Sequence, residues 1–229
     1  MTTIQPLLIP LKLHTLVLND KSLEGGKNFQ RWEMNYNNLR DGQSPEPKAF
    51  EGVANDFTNP NNREKNRGVY LYWELPQALR HGIQDPKTGF SYPLVPNRYV
   101  VVRYSGSGKD RKATGWIIES DFLDPNKGTC PFLDPFKAKR TTTSIGKKIS
   151  LDGIWKEEKR QEMFLTILGT GDATFSAYQP YIENVFSLHD NLSDPEIGEQ
   201  DNLSYYVVGC YSDEKKDILV DLKNNKDFS

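Results

Sequence analysis

Arg67-Gly-Val-Tyr-Leu-Tyr-Trp-Glu-Leu-Pro76 is the stretch on which the fold turns. Val69, Leu71, Trp73 and Leu75 alternate with Tyr70, Tyr72 and Glu74, the period of two that a strand shows when it buries one face. Pro76 ends that strand and is well placed to open a short helical turn over 77–81, closed by Gly82. Further on, Pro96-Asn-Arg-Tyr-Val-Val-Val-Arg-Tyr104 has the same character. Residues 98–104 and 113–120 read as two strands, joined by Ser105-Gly-Ser-Gly-Lys-Asp-Arg-Lys112 as the charged tip of a β-hairpin.

Working outward, 11–18 reads as a strand whose start is restricted by Pro6 and Pro10. Further strands are expected near 147–155, 163–168, 203–211 and 218–222. The one longer helix expected is 173–188, where Phe175, Tyr178, Tyr181, Ile182, Val185 and Phe186 recur at helical spacing and Pro180 kinks the axis. Residues 19–66 are polar and Gly/Pro-rich, with Phe29, Trp32, Met34, Tyr36 and Leu39 as anchors. Together with 121–146 they read as long irregular excursions, the kind of segment expected to make contacts. The expected class is therefore mainly β, an α+β arrangement with few helices. Its antiparallel sheet is sandwich- or barrel-like, in a single domain over 1–229.

Composition narrows the function. With 29 basic and 31 acidic residues the net charge is −2. That lacks the basic excess by which phosphate-neutralising proteins bind nucleic acid. Aromatic residues supply 11% of the chain, enough to build a core when aliphatics are few. Cys130 and Cys210 do not form a disulfide framework or a metal-binding pair, and Cys210 falls in an apolar strand. No apolar run reaches the ~18 residues of a membrane span. The N-terminus lacks a basic region and an unbroken apolar core, so no cleaved signal is expected. The expected location is cytoplasmic as synthesised, with export by a route that needs no leader left open.

Motifs for chemistry are weak. Gly169 and Gly171 sit at a strand-to-helix junction, where a phosphate could approach the backbone, but the third glycine of a dinucleotide fingerprint is missing. Gly106-Ser-Gly-Lys109 lacks the spacing of a phosphate loop. The histidines are His14, His81 and His189, none with a second histidine at metal-ligand spacing. His189 and Asp190 are adjacent and form the centre of one alternative, a hydrolase. Asp190, Asp194, Glu196, Glu199 and Asp201 crowd one acidic loop that could hold a cation, but Pro195 stands where the calcium loop's glycine belongs. Asn191-Leu-Ser and Asn202-Leu-Ser match the glycosylation pattern, meaningful only in a secretory setting. No nucleophile elbow is present, and no cofactor is expected.

A recognition surface remains. Trp32, Tyr36, Tyr70, Tyr72, Arg98 and Arg103 are the candidate partner-binding residues, because tyrosine, tryptophan and arginine give large contact area and directed hydrogen bonds. Arg98 and Arg103 lie an odd number of positions apart, which sends them to opposite faces of a regular strand. One is expected to brace the core and the other to be exposed. A glycan-stacking platform on Tyr70, Tyr72 or Trp32 is a further alternative.

Arg67-Gly-Val-Tyr-Leu-Tyr-Trp-Glu-Leu-Pro-Gln-Ala-Leu79, Val95-Pro-Asn-Arg-Tyr-Val-Val-Val-Arg103 and Leu203-Ser-Tyr-Tyr-Val-Val-Gly-Cys-Tyr-Ser-Asp213 together resemble the N-terminal region of a family of large uncharacterised bacterial proteins. That resemblance implies a bacterial source and a role as one module of a larger assembly. It carries no catalytic residue with it. Where this chain has Tyr70 and Tyr72 the family tends to carry His, and where it has Cys210, Trp. The expected function is accordingly a non-catalytic structural or binding module that assembles with a protein partner or with itself.

Overall fold

The computed structural model describes residues 10–19, 32–35, 40–43, 46–49, 67–87, 89–106, 108–127, 130–134, 136, 139–153, 155–157, 162–167, 184–194, 197 and 202–217. Their regular structure is strand, apart from short 3-10 turns, and the determined pairings are antiparallel. The mainly β class is as expected. By its internal contacts the chain divides into two units. The first comprises Met1–His14, Leu71–Leu188 and Asp194–Ser229; the second comprises Thr15–Tyr70 and His189–Ser193.

In the first unit the strands β7 (Arg98–Ser105), β8 (Lys112–Asp124), β9 (Cys130–Leu133), β10 (Arg140–Ser150) and β12 (Ser204–Cys210) form a sheet in the order β12-β7-β8-β10-β9. β7 and β8 make the expected hairpin, in a register that sets Arg98 opposite Glu119 and Tyr104 opposite Ala113. β12 pairs along the other side of β7, Val207 against Val101. One face of β7 carries Tyr99, Val101, Arg103 and Ser105, all buried. The other carries Arg98, buried, then Val100 and Val102, half-buried, and Tyr104, exposed.

The ladder between β8 and β10 contains one irregularity. Ile145 pairs with Leu123 but Lys147 pairs with Glu119, so Ser120, Asp121 and Phe122 stand against Gly146 alone. Gly146 has φ +87°, which glycine adopts without a Cβ penalty. Along β8, Ile117, Ile118, Glu119, Ser120 and Asp121 are buried in succession, so both faces of the strand are covered here. A regular strand with one wet face would have exposed alternate members of that run.

Trp73 is fully buried and packs on Tyr99 with ring centroids 4.9 Å apart, and Tyr99 meets Phe186 edge-on at 6.0 Å. Such tilted contacts suit the ring quadrupoles. The Trp73 backbone N–H donates to the Phe186 carbonyl at 3.0 Å. A short hairpin pairs β5 (Ile83–Asp85) with β6 (Gly89–Ser91), and its residues are exposed wherever their side chains are described.

The second unit contains the hairpin of β2 (Trp32–Asn35) and β3 (Glu46–Ala49). It also holds the last residues of β1 (Lys12–Leu18), the first of β4 (Gly68–Glu74) and the last of β11 (Ser187–Asp190), strands that follow the order β1-β4-β11. Gly68 has φ +126°, and a Cβ there would lie 2.0 Å from the Asp190 carbonyl oxygen. Only glycine fits both constraints. Leu18 is buried with Leu16 and Tyr70 packed against it.

Several expectations are corrected. Residues 184–188 are not helical: Asn184 has φ +67°, a left-handed conformation that interrupts a helix, and Ser187–Asp190 is a strand. The remainder of the expected helix, 173–183, lies outside the described residues. The segment 19–66 is not wholly irregular, since it holds β2 and β3, and 121–146 contains the end of β8, all of β9 and the start of β10. Residues 163–167 form one bridge, Leu94 with Thr166, instead of a strand. The strand expected at 147–155 is β10, which ends at Ser150. The expected strand at 218–222 lies outside the described residues.

Candidate functional site

The densest polar constellation in the first unit is built around Arg98. Its side chain and that of Asp121 are 6% and 3% exposed, so both charges are out of water and require partners. Arg98 Nη1 donates to Asp121 Oδ1 at 2.5 Å and to the Asn97 carbonyl at 2.6 Å. Nε and Nη2 form a fork that donates to the two carboxylate oxygens of Glu157, at 2.9 and 2.6 Å. Burial penalises the guanidinium, but the hydrogen bonds and charges of Glu157 and Asp121 outweigh that penalty and hold its pKa above the ordinary arginine value.

Neighbouring groups complete the lattice. Asn97 Nδ2 donates to Asp121 Oδ2 at 2.6 Å and to Ser212 Oγ at 2.9 Å, while the Ser212 backbone N–H donates to Asn97 Oδ1 at 2.9 Å. Glu119, the cross-strand partner of Arg98, accepts the Trp155 indole N–H at 3.0 Å. Ser120 Oγ donates to the Val185 carbonyl at 2.5 Å. Asp121 and Ser120 are both buried, the first against Arg98 and the second against the Val185 carbonyl. The lattice is a set of mutually satisfied hydrogen bonds and ion pairs.

Cys210, the last residue of β12, is opposite Arg98 of β7 and is a free thiol. Burial, reinforced by the negative charge of Asp217, pushes it up to about 11 from an ordinary 9.0. Thiolate is the reactive form, so alkylation at pH 8 should run about a hundredfold slower than for an ordinary cysteine and accelerate towards pH 11. The unfolded chain releases this proton first, so the same shift removes stability as pH climbs from 9 to 11. Iodoacetamide labelling followed by peptide mapping reads the Cys210 rate; rapid labelling of the folded chain at pH 7 would contradict the burial.

Arg103, on the opposite face of β7, is also buried. It donates to Asp194 and, at 2.9 Å, to Thr114 Oγ1, and lies 5.4 Å from the centroid of the Trp116 ring. The two arginines do take opposite faces, but neither is exposed. The expectation of one free arginine is overturned, because Trp155 and Glu157 cover one face and Asp194 the other.

The tyrosines of β4 are half-buried beneath histidines. Tyr72 stacks on His14 with centroids 4.3 Å apart, and His14 Nε2 and Lys12 Nζ approach Glu74 Oε2 at 3.4 and 3.5 Å. The His14 hydrogen bond, opposed by desolvation and helped by Lys12, holds the Glu74 pKa below its ordinary value. In the second unit Tyr70 stacks on His189 at 4.1 Å. His189 Nε2 donates to the Arg67 carbonyl at 2.8 Å, so that nitrogen carries a proton. Asp190 is the next residue of the strand and points to the other face, where Oδ1 accepts the Leu192 backbone N–H at 3.1 Å. Each of the two residues thus holds a backbone group of its own.

Of the acidic-loop candidates, Asp190 and Asp194 have the partners just given. Glu196, Glu199 and Asp201 lie outside the described residues, as do Gly169, Gly171 and Tyr36. Trp32 lies in β2, opposite Ala49. No group of acidic, histidine or cysteine side chains suited to a metal ion occurs among the described residues. No helix among them is long and apolar enough to cross a membrane.

Sequence reasoning missed the outer surface of β12. Tyr206 and Val208 are 59% and 51% exposed, and they share a face with Tyr104, whose ring meets Tyr206 edge-on at 5.7 Å. From Asn202 to Ser212 no residue is acidic or basic. Edge strands are usually blunted by charge, proline or a bulge, and this run has none of the first two. No family model, curated protein or solved structure matches the chain.

Proposed function

We propose that this chain is a non-catalytic binding module that assembles with a protein partner through β12. The occupant is an uncharged extended segment of the partner, laid against the strand with apolar side chains over Tyr206 and Val208. The observation that carries this reading is an uncharged terminal strand whose tyrosine and valine lie bare on one face. Large exposed aromatics are the usual anchors of a protein interface. The buried arginines and acids pair with one another, which suits a rigid scaffold better than a reaction centre. A sandwich- or barrel-like closure of the sheets, holding that face rigid, belongs to the same proposal. So do the bacterial setting and the role within a larger assembly, which rest on the resemblance of the strand motifs.

The test compares the native chain with Tyr206→Lys and Val208→Lys as baits for a partner in lysate. Both substitutions are at exposed positions and leave the melting temperature nearly unchanged. A stoichiometric partner held by the native chain and lost from both variants is the expected result. A partner retained equally by the variants would move the interface away from β12. A turnover activity unaffected by them but abolished by His189→Ala would replace the module with an enzyme.

A further inference from the structure

The lattice around Arg98 has two kinds of member. Arg98, Glu119 and Asp121 lie in β7 and β8, and Asn97 directly precedes β7. Trp155 and Glu157 come from a segment that follows β10 and has no regular structure over 155–157. Two residues apart, as successive same-side positions of an extended chain are, Trp155 and Glu157 grip the cross-strand pair Glu119 and Arg98. The indole N–H meets the carboxylate, and the carboxylate of Glu157 meets the guanidinium.

Part of this contact is held from the sheet alone. Arg98 Nη1 is fixed by Asp121 and the Asn97 carbonyl, which aims the Nε/Nη2 fork at the position Glu157 fills. A guanidinium held in this way is a preformed carboxylate receptor, because its planar fork matches the two oxygens. Glu119 beside it selects a donor and repels a second carboxylate. Val100, half-buried, and the exposed Tyr104 continue the same face of β7.

We infer that the Arg98–Glu119 face is a peptide-binding site, occupied in cis by Trp155-Lys156-Glu157. Its ligand class is an extended segment carrying a tryptophan and, two residues later, a carboxylate. A partner segment with that pattern competes with the chain's own and releases it. This inference deepens the binding-module reading and rests on it, but on residues other than the β12 anchors.

The test uses the full chain carrying Trp155→Ala and Glu157→Ala, and a fluorescein-labelled peptide of residues 151–160. Fluorescence anisotropy should show saturable binding to this variant. Binding to the native chain should be weaker, because the tethered segment competes at high effective concentration. A peptide carrying Glu157→Gln should bind about 30-fold more weakly or worse, since the buried arginine loses its charged partner. If the variant does not fold alone, restoration of a cooperative melt by the native peptide is the expected result. No binding and no restoration, or equal binding of the Gln peptide, would overturn the site. Its loss with β12 capture intact leaves the module reading standing; loss of β12 capture with peptide binding intact does the reverse.

Discussion

Arg98→Ala is expected to destabilise the chain by about 3–5 kcal/mol, because removing one partner strands the other charges in low dielectric. Asp121, 3% exposed, would lose its guanidinium and keep only the Asn97 amide. Glu157, 20% exposed, would lose both bonds of its fork and turn towards water. The loss therefore concentrates at Asp121. Arg98→Lys should recover only part of it, since an ammonium cannot serve Asp121, the Asn97 carbonyl and both oxygens of Glu157 together. Urea denaturation of the three proteins measures the difference. A loss below about 1 kcal/mol for Arg98→Ala would mean that water reaches Asp121 and that the lattice is looser than the distances indicate.

Trp73→Ala should cost a similar ~3–5 kcal/mol by the cavity it leaves. Trp73 is 0% exposed and is wedged against Tyr99, itself 0% exposed, so the surroundings can close on the void only by moving a second aromatic ring. Burial raises the Tyr99 phenol well above its ordinary pKa, an effect the Trp73 indole N–H opposes. Neither the indole N–H nor the phenol has a hydrogen bond of good geometry, so Trp73→Phe sacrifices volume and little hydrogen bonding. Its expected loss is smaller than that of Trp73→Ala. Thermal melts of the two variants would show this order. Equal losses would place the cost in the indole N–H instead of in packing.

Alternation reveals the face on which Trp73 lies but not what pairs with Arg98. Val69, Leu71, Trp73 and Leu75 were legible because β4 buries one face more deeply than the other, and the period of two survives in the sequence. The β7–β8 hairpin was legible for the same reason, with a glycine-containing tip. Val185, Phe186 and Leu188 misled because each is 1% exposed or less within a short run that mixes a turn and a strand. Apolar residues buried irrespective of side mimic helical spacing as readily as any other. Pro47 in β3 and Pro131 in β9 hid those strands, which are four residues each and pair with neighbours that supply the regular ladder.

The candidate site was less legible than the fold. Alternation sends Arg98 and Arg103 to opposite faces, and they do take them. What covers those faces is non-local: Glu157 is 59 residues from Arg98, and Asp194 is 91 from Arg103. No local pattern marks such pairs. The His189-Asp190 dipeptide invited an enzymatic reading, but neighbours in a strand point apart, and each finds a backbone group. The absence of charge from Asn202 to Ser212 was visible in the sequence all along. Its meaning depends on β12 ending the sheet, which only the strand order supplies.

Amide hydrogen exchange across 204–210, with and without the captured partner, reads whether that partner docks on β12. β12 pairs with β7 along its full length, so the free chain already protects the amides that face β7. Docking there slows exchange of the remaining β12 amides, while those of the β5–β6 hairpin keep their free rates. Unchanged exchange throughout 204–210 in a saturated complex would contradict it, and the site of assembly would have to lie on another surface.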